Sequence, residues 1–316
     1  VITVGNPFGL GGTATAGIVS AYGRDINDQW VDYIQIDAPI NRGNSGGPTF
    51  DIYGRVIGVN TAIFSPSGGS VGIGFAIPAD VADNVTKQLI SSGKIQRGYI
   101  GATIQNLTAD LAEAQGLGAQ RGAIVSDLVP GGPSARAGVM QVDIVVSVNG
   151  VTVKTSTELT REVAKAKPGD ALKLDVIREG KHRIVEVRSG VRPSEKDLAT
   201  NDNIPGLDRG PVPSAPAAPK VLGMGLGALD EPTRRRLNAP AELRGVVVES
   251  VEQASDAGQK GLHRGDIIVQ AGGRPLTTVA EVAAAVESAK KAGHAGVLLG
   301  IFRQGRTTFL ALKIAG

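Results

Sequence analysis

No cysteine occurs in the 316 residues, so disulfides and thiolate metal sites are excluded. That absence fits either a reducing compartment or an envelope protein without thiol chemistry. Aromatic residues are scarce, at 3%, and the formal net charge is only +3. The chain therefore lacks both the stacking residues and the basic excess that nucleic-acid binding uses. Its one dense basic spot, Arg234-Arg235-Arg236, reads as a solvated helix face beside Asp230 and Glu231. No apolar run approaches the ~20 residues of a membrane helix. Only three histidines are present, His182, His263 and His294. No His, Cys or carboxylate cluster has ligand spacing, so neither a metal nor an organic cofactor is implied. Hydrophobic residues make up 41% and charged residues 20%, as in a soluble globular chain.

What is present divides into three parts. Up to about residue 77 the pattern is β throughout, with strand signals at 15–20, 33–36 and 56–60 between Gly, Asp, Asn and Pro clusters. From Ala79 to Ser91 the period changes: Val81, Val85 and Leu89 align on one helical face, and Gly93 follows as a C-terminal cap. An internal repeat then sets 138–146 against 261–269, with Gly150 against Gly273, Glu158 against Glu281 and Val163 against Val286. Each copy predicts a buried strand, a turn, an amphipathic helix (156–165 and 279–290) and a closing hairpin, turning at 178–181 and 303–306. A repeat longer than ~50 residues indicates tandem domains. Between the copies, 192–219 carries six prolines and few large apolar residues, the composition of a flexible linker.

The most informative string is Asn41-Arg42-Gly43-Asn44-Ser45-Gly46-Gly47-Pro48. A serine among small residues at a bend between strands is exposed and can be approached by a substrate backbone. Gly43 lets the chain turn so that its own amide and that of Ser45 converge, as an oxyanion hole requires. Residues 4–11, 17–21, 36–47 and 71–78 together closely resemble the HtrA (Deg) family of bacterial serine proteases, collinear over roughly the first 98 residues. Both repeat copies resemble PDZ domains, and two of them behind a protease unit is the arrangement of the DegP and DegQ branch.

The resemblance implies a mainly β fold: the second, incomplete β-barrel of a chymotrypsin-like protease over 1–93, PDZ domains over 94–191 and 220–316, and the linker 192–219. It implies a catalytic group of Ser45, Gly43 and Asn44, with Ile40, Thr61, Ala62 and Ile63 lining an uncharged primary pocket suited to small apolar side chains. Phe8, Arg24 and Arg42 match the activation relay that orders the oxyanion loop. The carboxylate-capturing loops match Tyr99-Ile100-Gly101-Ala102 and Leu222-Gly223-Met224-Gly225. Leu159 and Val163, then Val282 and Val286, stand on the facing helices as groove wall or core. Val142 departs from the pattern, since the second copy has Gly265 there.

The same resemblance places the catalytic histidine and aspartate in a first barrel before Val1. The chain is therefore expected to be an N-terminally truncated protease, inactive alone, because loss of the histidine costs a serine protease ~10⁶ in turnover. Location in the periplasm, a trimer-based homo-oligomer, misfolded-protein substrates and peptide C-termini as partners are further implications. Two alternatives stay open: a pseudoprotease or chaperone, and a tandem-PDZ adaptor without hydrolysis.

Overall fold

Short alternating segments bounded by Gly and Asn-rich turns build the first 78 residues into sheet. The computed structural model describes residues 1–9, 11–26, 28, 30–193 and 220–314. Two compact units emerge, 1–96 and 97–316. In the first, β1 (Ile2–Gly5), β2 (Thr13–Ala16), β3 (Val19–Arg24), β4 (Tyr33–Ile36), β5 (Pro48–Phe50), β6 (Val56–Ile63) and β7 (Gly74–Pro78) form one sheet ordered β2-β1-β5-β6-β7-β4-β3. The outer strands β2 and β3 do not pair, so the described sheet is open. The run expected as one strand over 15–20 breaks at Gly17. A Cβ there would stand 2.2 Å from Asp37 Oδ1, and that carboxylate accepts the Ile18 amide at 2.6 Å. Ile34, Ile36, Ala38 and Ile40 supply the buried core. Helix α1 (Ala79–Ser92) ends where predicted: Gly93 takes φ +66° and donates to Leu89 O at 2.9 Å.

The second unit holds the repeat. The first module runs β8 (Gly98–Tyr99), β9 (Ala102–Asn106), α2 (Ala109–Ala114), β10 (Ala123–Leu128), α3 (Pro133–Arg136), β11 (Ile144–Val148), β12 (Val151–Thr152), α4 (Ser156–Ala164), β13 (Ala171–Arg178), β14 (Lys181–Arg188) and β15 (Gly190–Val191). Its main sheet is ordered β14-β13-β11-β10-β9, so β9 is an outer strand. The second module runs β16 (Lys220–Val221), β17 (Met224–Ala228), α5 (Glu231–Arg236), β18 (Val246–Val251), α6 (Asp256–Gln259), β19 (Ile267–Ala271), β20 (Arg274–Pro275), α7 (Val279–Lys291), β21 (Gly296–Arg303) and β22 (Arg306–Lys313). Its sheet is ordered β16-β17-β18-β19-β21-β22. The stretch read as a linker, 192–219, falls outside the described residues from 194 onward.

The repeat has physical reasons. Glu179-Gly180 and Gln304-Gly305 all carry positive φ, between 50° and 80°. These are the turns whose twist matches antiparallel strands. The side-chain oxygens of Thr155 and Thr278 accept the amides of Glu158 and Glu281, at 3.1 and 3.3 Å, and cap α4 and α7. Replacing Thr278 with alanine should cost ~1 kcal/mol of second-module stability in urea unfolding.

Glu281 is held below the ordinary carboxylate range because the amides of Thr277 and Thr278 donate to it. Its contribution is therefore present above the unfolded pKa and lost as pH falls through the lowered folded value. Glu281→Gln should flatten that acid limb in pH-dependent thermal melts.

The three arginines of α5 are not all solvated. Arg235 and Arg236 are exposed, but Arg234 is buried and donates to the carbonyls of Pro240 and Leu243, both at 2.6 Å. Loop carbonyls, rather than water, solvate that charge.

Candidate active site

The turn between β4 and β5 presents Ser45 at the surface. Its hydroxyl donates to Thr61 O on β6 at 3.1 Å. Gly43 sits at φ +105°, and a Cβ there would lie 2.2 Å from the Asn6 carbonyl oxygen. Only glycine fits that combination of conformation and space. Below the turn, Asn44 is buried, and its main-chain N–H donates to Asn41 O at 3.0 Å. The amides of Gly46 and Asn60 complete the seat, donating to Asn60 O and Gly47 O at 2.8 and 2.9 Å. Asn41 Oδ1 accepts the Ser70 amide at 3.0 Å and ties the loop to the neighbouring turn.

The orientation of one peptide plane decides the electrostatics. The Arg42 carbonyl accepts the Phe8 amide at 3.0 Å. No peptide among the described residues is cis, so the N–H of Gly43 points opposite to that carbonyl. Among the described residues, nothing accepts from the amides of Gly43 or Ser45. Two unpartnered N–H groups flanking an exposed hydroxyl can stabilise a developing oxyanion.

The other predicted residues fall at different distances from this centre. Phe8 is brought to the loop through its backbone; the residue is 69% exposed and its φ is +59°. Arg42 is exposed. Arg24 is not brought to either: its Nε donates to Gln35 Oε1 at 2.7 Å on β4. Ile40 is buried in the core with Ile34 and Ile36. Thr61, Ala62 and Ile63 are half-buried on β6. The histidines all lie in residues 97–316, and His182 pairs with Asp175 at 3.0 Å. No group of three or more metal-ligating side chains occurs among the described residues, and none of the described helices is long and apolar enough to cross a membrane.

In the first repeat module, Tyr99 to Ala102 form the turn into β9. The carbonyls of Ile100 and Gly101 accept from Ser134 and Val129, at 2.8 and 3.0 Å. Among the described residues, the amides of Ile100 and Gly101 have no acceptor. Gly101, at φ +68°, packs so tightly on Pro133 that a Cβ would sit 2.9 Å from its Cδ. In the second module, Leu222 and Gly223 both have positive φ, 51° and 79°, and close a two-residue turn pairing Val221 with Met224. Gly225 continues β17 opposite Lys220. Leu159, Val163, Val282 and Val286 are buried in their own module cores.

Residues 98–189 and 220–314 match the family model of the PDZ domain, and residues 1–59 that of the trypsin-like peptidase domain. A Brucella suis biovar 1 (strain 1330) protein, described as a probable periplasmic serine endoprotease DegP-like, is 43% identical over 99% of this chain and 58% of its own length. A protein of the same description from Rhizobium meliloti (strain 1021) is 42% identical over 99% of this chain and 60% of its own. The chain thus spans about three-fifths of the length of these curated relatives. Among solved structures, HtrA-type protease AlgW with decapeptide aligns with a TM-score of 0.51 and 41% identity, covering 61% of this chain and 60% of that one. AlgW with tripeptide gives 0.52 and 40%, covering 62% and 66%.

Proposed function

This chain belongs to the HtrA/DegP-like serine endoproteases that join a trypsin-like domain to PDZ domains, and from that premise we propose that Ser45 is the nucleophile of a periplasmic endopeptidase of protein quality control. The observation that carries the reading is the bond between Arg42 O and the Phe8 amide, which fixes the 42–43 peptide plane while the Gly43 N–H, two residues before Ser45, has no acceptor among the described residues. Acyl transfer then proceeds by attack of Ser45 Oγ on a substrate carbonyl, whose oxygen becomes negative and is held by the Gly43 and Ser45 amides. Buried Asn44 spaces the two donors. Thr61, Ala62 and Ile63, with Ile40 packed in the core behind them, supply an uncharged pocket that favours small apolar side chains before the cleaved bond. Phe8 and Arg42, joined through their backbones, form the switch of the oxyanion loop, with Arg24 a farther element of the same relay.

The chemistry also needs a base within hydrogen-bond reach of Ser45 Oγ. Residues 1–96 contain no histidine, so the 316 residues by themselves are expected to bind peptides without hydrolysing them. The full-length gene product is the species to assay. It should degrade an unfolded protein substrate, and Ser45→Ala should abolish that activity with the fold unchanged; an equally active Ser45→Ala product would refute the assignment.

The PDZ modules are proposed to take protein C-termini or unfolded segments. An extended peptide would add to the outer strand β9, its carboxylate at the amides of Ile100 and Gly101. The corresponding turn of the second module offers Leu222 and Gly223. That a relative was solved with a decapeptide and a tripeptide supports this reading. Peptides ending in a free carboxylate should bind more tightly than their amidated forms; equal affinity in titrations would exclude carboxylate capture. Misfolded envelope proteins as substrates and assembly as trimers complete the proposal.

A further inference from the structure

The two PDZ modules share an apolar cluster: Leu111, Ile124 and Ile144 of the first pack with Leu298, Phe309 and Ala311 of the second. Polar bonds surround it. Strand β22 is the outer strand of its sheet, and side chains bond to the backbone of Phe309, Ala311 and Lys313. The Phe309 amide donates to Gln105 Oε1 at 2.9 Å, and Gln105 Nε2 donates back to Phe309 O at 3.0 Å. Lys260 Nζ donates to Ala311 O at 2.7 Å and pairs with Asp110 on α2 at 2.6 Å. Gln270 donates to Gln141 across the same boundary. A strand edge that could accept another chain is thereby closed.

Val142 is a second sign that the contact is built. It holds φ +71°, unfavourable for a β-branched residue, where the second module has Gly265 at φ +94°. Its side chain packs on the shared cluster, and a Cβ at Gly273 of the second module would stand 3.8 Å from its Cγ1.

Gln105 lies on β9, the strand proposed to receive peptide. The next residue, Asn106, accepts from the amide and hydroxyl of Ser156 at 2.7 and 2.9 Å, at the start of α4, the facing wall. Consecutive side chains of one strand point to opposite faces. Residues 105 and 106 therefore tie β9 to the second module on one side and to α4 on the other.

We infer that the second PDZ module is a positioning element for the first module's peptide groove: docked through Gln105, it fixes the spacing of β9 from α4, so the first groove binds peptide more tightly docked than undocked. The inference rests on the peptide-capture reading above. By linkage, a peptide in the first groove strengthens docking by the same factor.

The test uses the full chain and a peptide with a free apolar C-terminus. Amide shifts of Ile100 and Gly101 report the first groove, those of Gly223 and Met224 the second, and hydrogen exchange at Phe309 reports docking. Ala311→Asp places a charge in the shared cluster from the second module, away from β9. Gln105→Leu removes both bonds to Phe309. In both variants the first-groove Kd should rise about tenfold and exchange at Phe309 should accelerate, with the second-groove Kd unchanged. An Ala311→Asp chain with fast Phe309 exchange and an unaltered first-groove Kd overturns the inference. Wild-type chain in which peptide shifts neither loop overturns the capture reading instead, and this coupling with it.

Discussion

Gly43→Ala in the full-length gene product is expected to lower kcat by at least ~10²–10³-fold, the usual consequence of losing one oxyanion donor. The added methyl would stand 2.2 Å from Asn6 O while the backbone holds φ +105°. Relief requires the 42–43 peptide to turn, breaking the bond of Arg42 O to the Phe8 amide and carrying the Gly43 N–H out of the hole. Gly46→Ala is the matched control. Gly46 also has positive φ, +87°, but open space where a Cβ would go, so it should lose stability more than turnover. Steady-state kinetics on both variants separate the two effects. A Gly43→Ala enzyme with undiminished kcat would remove that amide from the mechanism.

The second large effect is expected in the first PDZ module. The Asp143 carboxylate is fully buried and gripped by Arg178, Nε to Oδ1 and Nη2 to Oδ2, both at 2.7 Å. Arg178 Nη2 also donates to Gly138 O at 2.8 Å. Arg178→Met leaves a buried carboxylate without its counter-charge and should cost ~3 kcal/mol or more in urea unfolding of the 97–316 unit. The second module repeats the arrangement with Arg303 on Asp266, but there the arginine side chain is 46% exposed. Water compensates part of that loss, so Arg303→Met should cost clearly less. The double variant Asp143→Ala/Arg178→Met should be less destabilised than the sum of its single changes, because no orphaned charge remains. Additive losses would mean that the pair is not coupled.

Local chemistry made much of this legible in the sequence. The hairpins at Glu179-Gly180 and Gln304-Gly305 are marked by Gly180 and Gly305, which tolerate positive φ, and the end of α1 by Gly93. The bend at Ser45 follows from Gly43, whose φ and crowding against Asn6 leave no other residue possible. Periodicity carried the helices at 79–92, 156–164 and 279–291 to within a residue or so of their ends.

What stayed hidden depends on tertiary approach. Phe309, Ile124 and Ile144 look like interior residues of their own modules, whereas they meet across the boundary between the modules. Gln105, bonded to the Phe309 backbone, carries no local signal at all. Val142 differs visibly from Gly265, but the cluster it packs on is drawn from both modules. Arg234 reads as a solvated charge because carbonyls that follow it in a loop leave no mark on residue spacing. The break at Gly17 likewise comes from Asp37, on a different strand.

Mapping a fluorophosphonate adduct on the full-length gene product is the most direct test of the central claim, that the Ser45 hydroxyl is an activated acyl-transfer nucleophile. The account predicts a single stoichiometric adduct on Ser45, absent from the Ser45→Ala product and strongly diminished in Gly43→Ala. A proteolytically active product whose Ser45 remains unmodified would contradict it.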